Sequence, residues 1–186
     1  MSATKNDIRI YPEPTPNPTT MKLVTSVPVL AKGTMDFPSV EKAAKSPLAK
    51  KLFQIPGVRG VFLGSNFVTL TKNEYGAWND IIDLAIDGLK AHLEAGQSVA
   101  DTDVEPTVVD DDSLSQKIVQ VLDNEIRPAV AMDGGDISFV SCRDGVVTLQ
   151  MRGACAGCPS STMTLKMGIE RRLREEFPEI QSVVSV

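Results

Sequence analysis

The chain predicts an α+β protein: two small α/β-layered domains joined by an acidic flexible linker. Three observations lead there. Strand-like alternation and helix-like apolar stripes interleave on both sides of the middle of the chain. Between them, Ser98 to Asp112 carries the acids Asp101, Asp103, Glu105, Asp110, Asp111 and Asp112, no base, no aromatic and no period, and reads as a solvated linker. The 186 residues, 42% of them hydrophobic, are enough for two small cores. The expected boundaries are 1–97, 98–112 and 113–186.

In the first domain Ile8 to Tyr11 and Met21 to Val24 read as extended, joined by the proline-rich run from Pro12 to Pro18. Ser46 to Gln54 reads as a short helix with Pro47 at its start, where a missing N–H costs nothing. Ile55-Pro56-Gly57 is a turn into a strand from Val58 to Leu63, and Gly64-Ser65-Asn66 turns the chain back through Phe67 to Thr71. A helix from Trp78 to Ala95 follows, with Ile81, Ile82, Ala85, Leu89 and Leu93 on its inner side. His92, in its last turns, is expected at the surface or at the favourable end of the helix dipole. No paired carboxylates, nucleophile–base set or glycine-rich phosphate loop stands in this half.

In the second domain Ser113 and Gln116 are spaced as a capping box, opening a helix whose stripe is Leu114, Ile118, Val121, Leu122 and Ile126. Pro128 is expected to end it. Asp133-Gly134-Gly135-Asp136 is a turn, with both glycines expected to supply positive φ. Ile137 and Phe139 alternate with polar residues, Arg143-Asp144-Gly145 makes a hairpin turn, and Val147, Leu149 and Met151 alternate on the return. A helix from Pro159 to Phe177 buries Leu165, Ile169, Leu173 and Phe177, and Ile180 to Val186 is a last strand. The order is α-β-β-α-β. Lys166 falls near the apolar stripe and is expected to snorkel, while Met163 and Met167 are expected in the core or an interface.

The chemistry concentrates in Gly153-Ala154-Cys155-Ala156-Gly157-Cys158-Pro159-Ser160-Ser161. Two thiols at this spacing can share one metal centre or close as a disulfide. A helix starting at Pro159 would put both sulfurs at its positive end, which lowers a thiol pKa. C-x-x-C alone fits half a zinc site, a redox dithiol, or half an iron–sulfur ligand set.

With 3 Cys and 1 His, a zinc site within one chain would need Cys142 and His92 to converge on Cys155 and Cys158. Iron–sulfur clusters want four thiolates, which two chains could supply together. Cys142, ending a strand, is expected to be a small buried hydrophobe rather than a ligand. The redox reading also expects a β-α-β framework, which the order α-β-β-α-β does not suggest.

A net charge of −5 recommends neither nucleic acid nor anionic membrane as partner. No apolar run approaches the roughly 20 residues that span a bilayer. An odd number of cysteines argues against a disulfide scaffold. Met1 to Asp7 has neither an apolar signal core nor the Arg-rich character of a transit peptide. The expected location is the bacterial cytoplasm, with the mitochondrial matrix as the alternative if a transit peptide was removed.

Ile126-Arg127-Pro128, Asp133 to Ile137, Gly153 to Ser161, Thr164-Leu165-Lys166 and Gly168-Ile169-Glu170 together resemble the NifU C-terminal (Nfu) domain. Thr15-Pro16-Asn17-Pro18, Pro56-Gly57-Val58, Phe67-Val68-Thr69 and Trp78 resemble the N-terminal domain of Nfu-type scaffold proteins. Leu23 stands where that family often has an aromatic. The resemblance implies a non-enzymatic iron–sulfur cluster scaffold or carrier. Cys155 and Cys158 of each of two subunits would hold a bridging 4Fe–4S cluster, with 2Fe–2S or zinc as alternative occupants. The implied partners are upstream assembly proteins, apo iron–sulfur proteins as acceptors, and a second copy of the chain when the cluster is bound. The N-terminal domain would help choose or dock targets. The rival readings are a thiol–disulfide oxidoreductase and a zinc-bridged dimer.

Overall fold

The computed structural model describes residues 7–100, 113–157 and 159–186, the side chains of 159–161 excepted. Cys158 and the acidic run from Asp101 to Asp112 lie outside the described residues. The chain forms two compact units, Met1–Pro14 with Pro18–Val104, and Thr15–Asn17 with Glu105–Val186. Among the described residues no helix is long and apolar enough to cross a membrane.

The first unit is an antiparallel sheet covered by helices. Its strands β1 (Ile10–Pro14), β2 (Thr20–Thr25), β3 (Met35–Phe37), β4 (Val58–Leu63) and β5 (Phe67–Lys72) lie in the order β1-β2-β5-β4-β3. The hairpin read around Gly64 pairs Leu63 with Val68. At the sheet's edge β1 sets Tyr11 against Val24 and Pro12 against Leu23. The proline run thus contributes to a strand, and β3 is too short to leave a period in the sequence.

Helix α1 (Pro47–Phe53) is capped by Ser46, whose Oγ accepts the Ala49 N–H at 3.0 Å. Helix α2 (Trp78–Glu94) buries Ile81, Ala85 and Leu89 completely. These join Leu48 and Leu52 of α1 and Leu23, Val61, Leu63, Val68 and Leu70 of the sheet in one core.

His92 continues the α2 stripe and is 1% exposed, not at the surface as expected. Its Nε2 lies 3.1 Å from the Ser98 carbonyl, and Ser46 Oγ donates to the Val99 carbonyl at 2.6 Å. The first residues of the expected linker are therefore tied down. Burial pushes the His92 pKa below its ordinary value, and the nearby Lys51 charge adds to this.

The second unit opens with α3 (Ser113–Val121), passes through a π-helical turn (Leu122–Ile126) and continues as α4 (Arg127–Met132). The helix does not end before Pro128. The wider π turn admits the ring, and Pro128 enters α4 in its first turn, where its missing N–H is tolerated. Strand β6 (Gly135–Arg143) and strand β7 (Val146–Gly153) form an antiparallel hairpin with Ile137 opposite Met151 and Phe139 opposite Leu149. Helix α5 (Pro159–Glu176) then returns the chain to β8 (Ser182–Ser185), which pairs parallel to β7, Val147 against Val183. The core joins Ile118, Leu122, Val130, Ile137, Leu149, Ile169, Leu173 and Val183.

Parallel pairing makes β7, α5 and β8 a β-α-β unit, with the cysteine loop at its strand-to-helix junction. The sequence order alone did not suggest that framework. Its expected absence therefore cannot be held against the redox reading.

Candidate metal centre

The strand β7 ends at Gly153 and α5 begins at Pro159, so Cys155 stands between them. The loop is held by backbone: Ala154 N–H donates to Gly134 O at 3.2 Å and Ala156 N–H to Gly153 O at 3.1 Å. Thr162, in the first turn of α5, donates its hydroxyl to the Cys155 carbonyl at 3.0 Å. Gly157 has φ +78, a conformation that side-chain-bearing residues rarely adopt.

Asn17, which the contacts place in this same unit, is 3% exposed. Its Nδ2 donates to the carbonyls of Ala154 at 3.2 Å and Ala156 at 3.4 Å, on either side of Cys155. Thr15 Oγ1 accepts the Asn17 N–H at 3.1 Å and donates to the Asn17 carbonyl at 2.9 Å. In the sequence Thr15-Pro16-Asn17-Pro18 carries only the family resemblance. Nothing in its spacing announces a side chain 137 residues away from its acceptor.

The sulfur of Cys155 turns back over the start of β6. A Cβ on Gly135 would stand 2.5 Å from Cys155 Sγ and 2.8 Å from the Arg152 carbonyl. Gly134 has the expected positive φ, +80, whereas Gly135 is needed for this close approach instead.

Cys155 is 7% exposed and packs with the core of its unit. Burial pushes its thiol up to about 12, and the negative charges of Asp133 and Asp136 add to the effect. The lowered pKa expected from a helix dipole is overturned for this residue. Its sulfur is folded onto Gly135 ahead of α5, away from water and within electrostatic reach of Asp133 and Asp136.

The second carboxylate is locked in place. Asp136 receives Arg127 Nε at 2.7 Å and Nη2 at 2.8 Å, a bidentate pair that raises the arginine pKa above its ordinary value. Arg127 Nη1 donates to Asp123 Oδ1 at 2.9 Å. In the sequence Arg127 stands out only through the resemblance.

The other candidates are not drawn into this cluster. Cys142 is half-buried within β6, opposite Val147, rather than a fully buried core residue. Lys166 is half-buried, in keeping with a snorkelling side chain. Met163 and Met167 are 62% and 65% exposed, so neither is a core residue. Among the described residues no three His, Cys, Asp or Glu side chains are grouped to hold a metal ion. Cys155 offers one soft sulfur donor on a bed cleared by glycine. That donor suits iron or zinc, and it needs ligands from beyond the described residues of one chain.

Known proteins match both units. The family described as NifU-like domain matches residues 118–184, and that described as scaffold protein Nfu/NifU N terminal matches residues 10–96. The protein named NFU1 iron-sulfur cluster scaffold homolog, mitochondrial, from Drosophila grimshawi is 45% identical over 186 residues, covering 95% of this chain and 61% of its own. That of Drosophila willistoni is 44% identical, covering 98% of this chain and 65% of its own. That of Drosophila erecta is 42% identical, covering 99% and 67%. The chain thus spans roughly two thirds of the length of these curated relatives. With both halves matched in order and identity above 40% along nearly its whole length, the chain belongs to the Nfu family of NifU-like scaffold proteins.

Proposed function

We propose that this chain is an iron–sulfur cluster scaffold that holds a cluster as cargo and passes it to apo-proteins. The observation that carries the reading is family membership across both units, with the relatives named as cluster scaffolds. Cys155 and Cys158 are the proposed ligands, and Cys142 is left out of the set. With two such thiolates per chain, the four that a 4Fe–4S cluster takes come from two chains across a dimer. Assembly proteins upstream and apo iron–sulfur acceptors downstream are the implied partners.

The physical character of Cys155 supports cargo holding over redox turnover. A dithiol oxidoreductase attacks through a thiolate populated near neutral pH. A buried thiol pushed up to about 12 has almost none, whereas iron binding itself removes the proton. The role is that of a carrier rather than a catalyst. Of the two expected locations the relatives' names favour the mitochondrial one.

Anaerobic reconstitution with iron and sulfide tests the reading. Expected are equimolar iron and sulfide, the optical absorption of a thiolate-bound cluster, and transfer to an apo-ferredoxin. Zinc uptake without sulfide, or a dithiol that turns over in thiol–disulfide exchange without binding iron, would overturn it.

A further inference from the structure

The Arg127–Asp136 pair joins α4 to β6 at the residue opposite Arg152, just before the strand β7 runs into the cysteine loop. Asp136 follows Gly135, the residue on which the Cys155 sulfur rests, and its side chain is 5% exposed. A carboxylate so placed acts electrostatically on Cys155. Arg127 answers it with two parallel N–H donors from a side chain still 34% exposed. The guanidinium is always charged and so offsets the carboxylate it grips.

An iron–sulfur cluster on four thiolates is anionic, and one-electron reduction makes it more so. An uncompensated carboxylate nearby would oppose binding of either form and oppose the reduced form more. We propose that Arg127 is a positioning residue that compensates Asp136 next to Gly135 and so sets how tightly an anionic cluster is held and how easily it is reduced. This rests on the cargo reading above and adds the group that tunes it.

The alternative is that the pair merely ties α4 to β6. The two roles separate by sign. Arg127→Gln leaves Asp136 uncompensated, and Asp136→Asn removes that negative charge while Arg127 keeps its contact with Asp123. The double variant restores the net charge of the wild-type group without restoring the ion pair, and Arg127→Lys keeps the charge without the bidentate geometry.

The experiment reconstitutes wild type and these four variants anaerobically. It measures the midpoint potential of the bound cluster by EPR-monitored titration and the rate of cluster loss to an iron chelator. Outer-shell partners of metal ligands typically change affinity by roughly 10–100-fold when removed. Arg127→Gln should therefore lose its cluster roughly tenfold faster and titrate at a more negative potential. Asp136→Asn should titrate at a more positive potential, with the double variant and Arg127→Lys close to wild type. If Arg127→Gln does not fold, the positive shift in Asp136→Asn and its reversal in the double variant decide the matter. Both single variants shifting in the same direction, or wild-type potentials throughout, would overturn the proposal while leaving the scaffold function intact. A wild-type chain that takes up no cluster would overturn both.

Discussion

Cys155 occupies the space that a side chain on Gly135 would need, with its sulfur 2.5 Å from the position of that missing Cβ. The Arg152 carbonyl and the Cys155 amide close the same space at 2.8 and 3.0 Å, so rotating the thiol away does not open it. Gly135→Ala should therefore destabilise the chain by about 1–3 kcal/mol, as overpacking does, and displace the sulfur. Thermal unfolding and iron content per chain check this. A variant of wild-type stability and loading would show that the loop yields freely.

Cys155→Ser and Cys158→Ser should each abolish stable cluster binding, because in the proposed shared site each removes two of the four ligands. Cys142→Ser should load as wild type does. Iron and sulfide analysis decides both, and loss of the cluster from the Cys142 variant would place a ligand on β6.

Oligomeric state should follow the cargo. Light scattering during reconstitution should report dimers as the cluster forms and their loss on chelation. A loaded species of monomer mass would exclude a shared site.

The Cys155 thiol is raised to about 12 from an ordinary 9.0, so the folded chain holds its proton where the unfolded chain has lost it. Its contribution to stability is complete below about pH 9 and is lost as pH rises toward 12. Urea denaturation of the metal-free chain from pH 7 to 11 should show the decline, and Cys155→Ser should flatten it. Iron uptake should also release protons, measurable in weakly buffered solution.

His92 has the opposite shift, below its ordinary 6.5, because burial disfavours the imidazolium. The unfolded chain then binds the proton first. Stability should be complete above about pH 6.5 and fall as pH drops through the lowered folded value. Denaturation of the first unit between pH 7.5 and 5 reads this, and His92→Gln should remove most of the slope.

The elements that bury one face on their own were legible in the sequence. The stripe of Ile169 and Leu173 on α5 with Phe177 just beyond it, the β6–β7 hairpin and the Ser46-capped α1 carry a local period or cap. What was lost depends on partners remote in sequence. β3 is only Met35–Phe37, and the parallel setting of β8 is a matter of pairing; the π turn before Pro128 is local but leaves the apolar stripe unchanged. The site divides the same way. Cys155 and Cys158 were legible as a spaced pair of soft donors, with Cys158 outside the described residues. The direction of the Cys155 shift was not, because it depends on Asp133, Asp136 and a sulfur folded onto Gly135.

The prolines of β1 have a consequence for solubility. The Arg9 carbonyl accepts the Ser26 N–H, and with Tyr11 opposite Val24 the odd-numbered residues of this strand face β2 for hydrogen bonding. Pro12 and Pro14 then stand at the alternate positions, directed away from the sheet, where neither can donate. A stray extended chain approaching that border finds most of its donors missing. The border is blunted against amyloid-like stacking by the same residues that gave the segment the look of a loop.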